Sequence, residues 1–156
     1  ASYLGCVDQY EYPNILGQLP LDDVSLDTAK KLCAQNGKHL CRSVEWENAC
    51  SGSDQNRWSY GDQFDSTICS HARPRNESGK RASGSFKDCK TDNDIYDMTG
   101  NLWEWTANGD LRGGNWNFSE GMGQCRSIAS PAPHIQSKEI GFRCCADQSE
   151  VLQLLK

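Results

Sequence analysis

Cysteine content is the feature that most limits what this chain can fold into. Nine cysteines occur in 156 residues, at positions 6, 33, 41, 50, 69, 89, 125, 144 and 145, with no Cys-x-x-Cys spacing. A structural zinc site normally brings two closely spaced ligand pairs, and only three histidines are present. A disulfide framework fits better, which predicts an oxidising location: periplasm, cell surface or secreted fraction. The odd count leaves at least one thiol unpaired, or paired with another chain.

Length and charge narrow the class of protein further. A chain of 156 residues suits one domain with a single core. The net charge of −5 argues against a nucleic-acid partner, because proteins that bind nucleic acids usually present a basic face. No apolar run is long enough to span a bilayer, and no signal-peptide pattern opens the sequence. We therefore expect a processed product without a transmembrane segment.

The hydrophobic pattern predicts only a few regular elements. Alternation favours an opening strand over residues 2–10, and Ser25 is expected to cap a helix over residues 26–36. Ser43 is expected to cap a second helix. Each helix carries a cysteine, Cys33 or Cys50, on its apolar face. Later strands are predicted around residues 102–106, 111–116 and 140–145.

The middle and the end of the chain lack the hydrophobic patterns that predict these helices and strands. Residues 51–95 are rich in Gly, Ser, Asn, Asp and Arg, which indicates long loops, and Cys69 and Cys89 bracket them as a natural local pair. Asn76 and Asn117 lie in Asn-x-Ser triplets, which matter only if the source glycosylates such sites. The tail at 149–156 carries four aliphatic residues, and apolar burial is worth roughly 25 cal/mol per Å². We expect it either to pack on the domain or to contact a partner.

Several segments carry a specific combination of residues. In order, they are Gly37-Lys38-His39-Leu40-Cys41, Trp58-Ser59-Tyr60-Gly61, Gly100-Asn101-Leu102-Trp103-Glu104-Trp105-Thr106, Arg112-Gly113-Gly114 and Gly141-Phe142-Arg143-Cys144. This order resembles the domain of the formylglycine-generating enzyme family. The resemblance implies a C-type-lectin-like α+β domain over residues 1–148, with two short helices, small antiparallel sheets and much irregular loop, before the apolar tail at 149–156.

The same resemblance implies two long-range disulfides. The matching positions pair Cys33 with Cys144 and Cys50 with Cys125. Each bridge closes a long loop, which is worth on the order of 4 kcal/mol in the chain-entropy model. Cys6, Cys41 and Cys145 remain, and the sequence leaves their pairing open. A pair of Cys6 with Cys41, with Cys145 as the free thiol, is slightly preferred.

A calcium site is also implied by the resemblance. Calcium takes six to eight oxygen ligands, from carboxylates and from carbonyls that a turn directs inward. The matching positions supply the carboxylates of Asp97 and Glu104 and the main-chain carbonyls of Gly100 and Leu102. In a simpler interpretation, Glu104 only accepts hydrogen bonds from loop amides. Similarly, Trp103, Trp105 and Trp116 could form a binding platform, although core packing is the preferred interpretation.

The family's catalytic residues have no counterparts here. The oxidase binds copper(I) through two cysteines just after Arg-Gly-Gly, and residues 115–124 contain no cysteine. We therefore expect a non-catalytic binding or assembly module whose preferred partner is a protein or a cell-surface complex, with a small-molecule ligand as the alternative. Its expected ligand surface comprises Asn115, Trp116, Asn117, Ser119, Glu120, His134 and Gln136. The alternative is a divergent oxidoreductase of the same family that uses the unpaired cysteine.

Overall fold

A computed structural model describes residues 5–71, 79–118 and 120–156. The helices are α1 (Leu26–Gln35), α2 (Ser43–Ser51) and α3 (Gln148–Leu154), and Glu120–Gly123 form a short 3-10 helix. The strands are β1 (Gly5–Val7), β2 (His39–Leu40), β3 (Trp103–Trp105), β4 (Leu111–Arg112), β5 (Ile140–Phe142) and β6 (Cys144–Asp147). Within these ranges no helix has the length and apolar character of a membrane span. Asn76 lies outside the described residues.

The helix starts match the sequence predictions only in part. The Ser25 side chain accepts a hydrogen bond from the Thr28 amide at 3.2 Å, so the predicted cap of α1 is confirmed. The predicted cap of α2 is wrong by one residue. Arg42 occupies the cap position, and its amide donates to Oε1 of Glu45 at 2.9 Å. The Ser43 hydroxyl instead bonds Asp110 at 2.7 Å, a long-range contact that local sequence does not reveal.

The strands form two three-stranded sheets, and the first of them pairs the strand near the start of the chain with the one near its end. The first has the order β1-β6-β2 and is antiparallel throughout. The second has the order β4-β3-β5, with β3 antiparallel to β4 and parallel to β5. The parallel pair departs from the expectation of purely antiparallel sheets. It arises because Trp103 to Trp105 pair in register with Ile140 to Phe142, far along the chain.

The core has two parts. The first joins α1 to the second sheet and contains Val24, Leu26, Ala29, Cys33, Leu40, Trp103, Trp105, Leu111, Ile140, Phe142 and Cys144. The second lies under α2 and contains Cys41, Trp46, Cys50, Met98, Cys125 and Cys145. Four of the six buried residues in the second cluster are cysteines, so disulfides replace part of the aliphatic packing that a larger core would supply.

All nine cysteines lie within the described residues. Four disulfides form: Cys33–Cys144, Cys41–Cys145, Cys50–Cys125 and Cys69–Cys89. Cys6 is the free cysteine and is exposed.

The preferred Cys6–Cys41 pair is therefore wrong, and so is the free Cys145. Successive residues of a strand point to opposite faces, so β6 directs Cys144 and Cys145 to two different partners. Cys6 lies on β1, which β6 separates from β2 and the adjoining Cys41. Two strand spacings amount to about 9–10 Å, beyond the roughly 7 Å that a disulfide spans between Cα atoms.

The C-terminal tail forms α3, which the sequence patterns did not predict. Asp147 caps it, with Oδ1 accepting from the Glu150 amide at 2.9 Å. The helix contacts β1 and β6, but none of its residues is buried. Leu152, Leu154 and Leu155 remain exposed at their side chains. The tail thus packs on the domain through one side and leaves apolar surface outside.

Candidate metal and binding sites

The turn between Asp97 and Glu104 has a backbone that requires glycine at one position. Asp97, Gly100 and Asn101 all have left-handed φ values, of 58°, 78° and 63°. A Cβ on Gly100 would stand 2.3 Å from the carbonyl oxygen of Ser70, so no other residue fits. The Gly100 amide donates to the Gly113 carbonyl at 2.8 Å. The turn is thereby fixed against the Arg-Gly-Gly segment.

Asn101 ties this turn to the start of the chain. Its side-chain amide donates to Oε1 of Glu11 at 2.6 Å and to the Arg81 carbonyl at 3.2 Å. Its Oδ1 accepts from the Arg81 amide at 2.8 Å. The Asn of the Gly-Asn motif therefore links its own turn to the segments that contain Glu11 and Arg81. This structural role was not predicted from the sequence.

Glu104 is fully buried and paired with Arg143. Oε1 of Glu104 accepts from Nε of Arg143 at 2.6 Å, and Oε2 accepts from Nη2 at 3.0 Å. The Trp46 indole donates to Oε1 at 3.2 Å. The donors are a guanidinium and an indole rather than the loop amides of the simpler interpretation. Arg143 stands in the Gly-Phe-Arg-Cys motif, and that motif was the only signal by which the sequence could have suggested this pair.

Buried negative charge exceeds buried positive charge around this pair. Glu11 and Asp97 are both buried near Glu104, and Arg143 is the cation among them. Burial and the charges of Glu104 and Asp97 hold the pKa of Glu11 well above its usual range. Burial raises the pKa of Asp97 to about 6, against a hydrogen bond from the Gly84 amide at 2.9 Å. Oε2 of Glu11 is buried without a hydrogen-bond partner among the described residues.

The residues fit calcium in charge and in donor type. A divalent cation would offset the excess of carboxylates, and Asp97 and Glu104 supply the hard oxygens that calcium prefers. However, both oxygens of Glu104 already accept from Arg143, so an ion would have to share one of them. The site at Asp97, Gly100, Leu102 and Glu104 stays a prediction.

The expected ligand surface divides into two loops. Asn115 is buried, and its Oδ1 accepts from the Asn117 amide, which shapes the turn that leaves Asn117 exposed. Trp116 is half-buried and Phe118 is 39% exposed. Ser119 lies outside the described residues, and only the backbone of Glu120 is described.

His134 and Gln136 belong to the second loop and are exposed. Gln136 donates to the Asp23 carbonyl at 2.9 Å, and Phe118 in the first loop packs edge-on against Trp103 of β3 with ring centroids 5.4 Å apart. Phe118 thus places the first loop against the second sheet, whereas Gln136 connects the second loop to the segment before α1. The described contacts do not join the two loops. Trp103 and Trp105 lie in the core, so the core interpretation is confirmed for these two tryptophans.

No thiol lies in the segment after Arg-Gly-Gly. Cys125, the nearest cysteine along the chain, is bonded to Cys50. The free Cys6 lies on β1 in the other sheet. Residues 115–124, the stretch that the resemblance matches to the oxidase's pair of cysteines, contain no cysteine.

Fold and site together define a disulfide-rich, C-type-lectin-like domain of the formylglycine-generating-enzyme type. The family described as "Sulfatase-modifying factor enzyme 1-like domain" matches residues 8–148, so the chain belongs to this family. The chain is 28% identical over 152 residues to "Inactive C-alpha-formylglycine-generating enzyme 2" of Bos taurus. That match covers 83% of this chain and 50% of the relative, so the chain spans about half the length of this curated relative.

Solved structures support the fold. "Treponema denticola variable protein 1" superposes with a TM-score of 0.71 at 16% identity, covering 83% of this chain and 72% of that one. PvdO from Pseudomonas aeruginosa superposes with a TM-score of 0.69 at 19% identity, covering 88% of this chain and 66% of that one. At such identities the similarity concerns the fold alone.

Proposed function

We propose that this domain is a non-catalytic binding or assembly module that works outside the cytoplasm on a protein partner. Its partner surface consists of the exposed parts of Trp116, Asn117 and Phe118, together with Ser119 and Glu120, and the flanking loop with His134 and Gln136. Four disulfides and a bound calcium ion stabilise the scaffold behind this surface.

The distribution of sulfur carries the proposal. Eight of the nine cysteines are consumed in disulfides, and the ninth lies on the edge of the other sheet. Two soft ligands at the family's reaction centre are therefore missing, while the framework that holds that centre is retained. The Bos taurus relative carries the word "inactive" in its name, which agrees with a family branch without the oxidase reaction.

The form of the surface favours a protein partner. Phe118 is backed by Trp103 of the core, so the loop presents an aromatic side chain on a rigid support. Aromatic side chains surrounded by amides are typical of protein interfaces. The four cavities beside Asp54, Asn14, Asn48 and Ala107 have no lining residue from segment 115–118. A shallow aromatic patch suits a protein surface better than a small molecule.

Affinity capture tests the binding proposal. The domain is immobilised and exposed to an extracellular or periplasmic extract from its source, and captured proteins are compared between the wild type and Asn117→Arg or Phe118→Ser. Both replaced side chains are exposed, so the fold should persist. Asp54→Arg, an exposed change three residues after α2, is the control. We expect one partner to be lost with both surface variants and kept with the control. Identical capture by all four proteins, or no capture, contradicts the proposal.

Calcium chelation tests the scaffold proposal. An ion at one hundred times its Kd stabilises a fold by about 2.7 kcal/mol. For a domain of this size that corresponds to a melting-temperature rise of roughly 5–10 °C. We expect this rise between EGTA and millimolar calcium, and its loss in Asp97→Asn. Asp54→Asn should retain it. An unchanged melting temperature in the wild type would remove calcium from the proposal and leave the binding surface untouched.

Copper binding distinguishes the divergent oxidoreductase. An oxidase of the family's kind would bind copper(I) in stoichiometric amount through at least two sulfurs. We expect no stoichiometric copper(I) to remain after purification with excess metal. Retention of one equivalent, and its loss in Cys6→Ser, would favour the oxidoreductase.

A further inference from the structure

A second cluster of ionisable residues lies far from the turn at Glu104. The ligand atoms of His39, Asp147 and Glu150 all lie within 4.8 Å of one another. They come from β2, the end of β6 and the first turn of α3. All three residues are partly buried, with the His39 and Glu150 side chains 20% and 26% exposed. The cluster is thus formed by tertiary structure and open to an ion from solvent.

The histidine is oriented from behind by a buried carboxylate. Nε2 of His39 lies 2.8 Å from Oε1 and 3.1 Å from Oε2 of Glu45, whose side chain is 2% exposed. Oε1 of Glu45 is itself held by the Arg42 amide. When Nε2–H donates a hydrogen bond to a carboxylate, Nδ1 is left unprotonated and can act as a metal ligand. Most metal-bound histidines have such a hydrogen-bond acceptor behind them. Nδ1 of His39 faces the Glu150 carboxylate and lies 2.6 Å from its Oε1.

The two carboxylates are also held in place. Oδ1 of Asp147 accepts from the Glu150 amide and from the Ser149 hydroxyl. Oε1 of Glu150 accepts from the Asp147 amide. Each carboxylate has a second oxygen that takes no part in these bonds. Reciprocal capping therefore fixes both side chains. It leaves Oδ2 of Asp147 for an ion, and the ligand atom from Glu150 is Oε1, the oxygen that faces His39.

We propose that His39, Asp147 and Glu150 form a binding site for a divalent transition-metal ion, with zinc as the preferred class and Glu45 as the residue that orients the histidine. One imidazole nitrogen and two carboxylate oxygens suit zinc, and water completes the tetrahedron. Ligands of tetrahedral zinc lie about 3.3 Å apart, so Nδ1 of His39 and Oε1 of Glu150 have to separate by roughly 0.7 Å. The ion replaces the proton between these two atoms and releases it to solvent.

Local charge and position give the site a role. With a neutral imidazole, Glu45, Asp147 and Glu150 carry three negative charges, and Arg42, 3.3 Å from Glu45, carries one positive charge. A divalent ion balances the remainder. Since α3 has no buried residue, the ion would link it to β2 and β6 more firmly than its present contacts do. The site would therefore order the exposed leucines of the C-terminal helix.

Zinc titration of the folded chain tests this site. The protein carries Cys6→Ser, so that its thiol does not bind the metal, and the buffer contains millimolar calcium to occupy the other proposed site. Calorimetry with zinc chloride should show one equivalent bound. His39→Gln and Glu150→Gln should lower the affinity at least tenfold, and Glu45→Gln about ten- to one-hundredfold. Glu139→Gln, an exposed acid elsewhere, should leave the affinity unchanged.

A spectroscopic measurement keeps the test valid if a variant misfolds. In the wild-type protein labelled with ¹⁵N-histidine, zinc should shift the NMR resonance of Nδ1 of His39. The resonances of His71 and His134 should stay in place. Absence of heat, or unchanged affinity in His39→Gln, overturns the site. A zinc-dependent shift of another histidine's resonance in place of that of His39 also overturns the site.

Discussion

Arg143 is the residue on which the buried charges depend. Its guanidinium pairs with both oxygens of Glu104 and also donates to the carbonyls of Asp8 and Tyr96. Replacing one partner of a buried ion pair leaves the other charged and without solvent. The pair therefore adds little net stability, but replacing only Arg143 or only Glu104 is strongly destabilising.

Arg143→Met should lower the free energy of unfolding by about 3–5 kcal/mol, because Glu104 is left as an unpaired buried charge. Urea denaturation in EGTA measures it. Glu104→Gln added to Arg143→Met should recover part of the loss, since both charges are then removed. Arg126→Met, at an exposed position, should change stability by less than about 0.5 kcal/mol. A loss below about 1 kcal/mol in Arg143→Met would mean that Glu104 does not need this cation.

Glu11 gives the chain a pH dependence of definite sign. Burial, with the charges of Glu104 and Asp97, raises the pKa of Glu11 well above its ordinary value of 4.5. The folded state then binds the proton more tightly than the unfolded state. This stabilisation is fully present below the unfolded pKa near 4.5 and is lost as pH rises through the folded pKa.

Glu11→Gln should therefore become more stable relative to the wild type as the pH rises above about 4.5. Gln keeps an oxygen for Asn101 and cannot ionise. Melting temperatures of both proteins in EGTA, from acid to mildly alkaline pH, give the difference directly. Glu139→Gln, at an exposed acid, should show a nearly constant difference. A difference that shrinks with rising pH would contradict the raised pKa.

At the scale of elements, local signals were sufficient only where one residue decides the structure. Ser25 begins α1 as predicted, because its hydroxyl acts within one turn. The start of α2 was displaced because Asp110 engages the Ser43 hydroxyl from a distant segment. The two-residue β2 has no periodicity of its own and exists because β6 pairs with it. Glu104 was recognised as important from its motif, but Arg143 lies 39 positions away along the chain, where no local pattern relates the two.

The turn at Gly100 allows a test of backbone strain against steric contact. Gly100 and Gly17 have similar left-handed φ values, of 78° and 81°. A Cβ at Gly100 meets the Ser70 carbonyl at 2.3 Å, whereas a Cβ at Gly17 meets no atom within 4 Å. Gly17→Ala should cost about 1 kcal/mol of unfolding free energy, from φ alone. Gly100→Ala should cost at least about 3 kcal/mol, because the backbone must also move. Equal losses in chemical denaturation would show that the turn relaxes freely.

At the scale of the whole molecule, disulfides connect α1, α2 and the segment between them to the later part of the chain. Cys41–Cys145 joins positions 104 residues apart, and Cys69–Cys89 joins positions 20 residues apart. In the chain-entropy model the longer loop contributes about 1.5 kcal/mol more. The double variant Cys41→Ala/Cys145→Ala should therefore unfold at lower denaturant concentration than Cys69→Ala/Cys89→Ala. All four residues are buried, so the lost packing is similar. The reverse order would show that the long loop keeps structure in the unfolded state.

The state of the ninth sulfur reports on the entire cross-link pattern. Because Cys6 is exposed on β1 while Cys145 is buried in a bridge to Cys41, one thiol should react with an aromatic disulfide reagent in the native protein without denaturant. Cys6→Ser should abolish this reaction, and unfolding without reductant should reveal no further thiol. A thiol that reacts only after unfolding would place the free cysteine in the core, as a Cys6–Cys41 pairing requires. That outcome would also place β1 beside Cys41, contrary to the order β1-β6-β2.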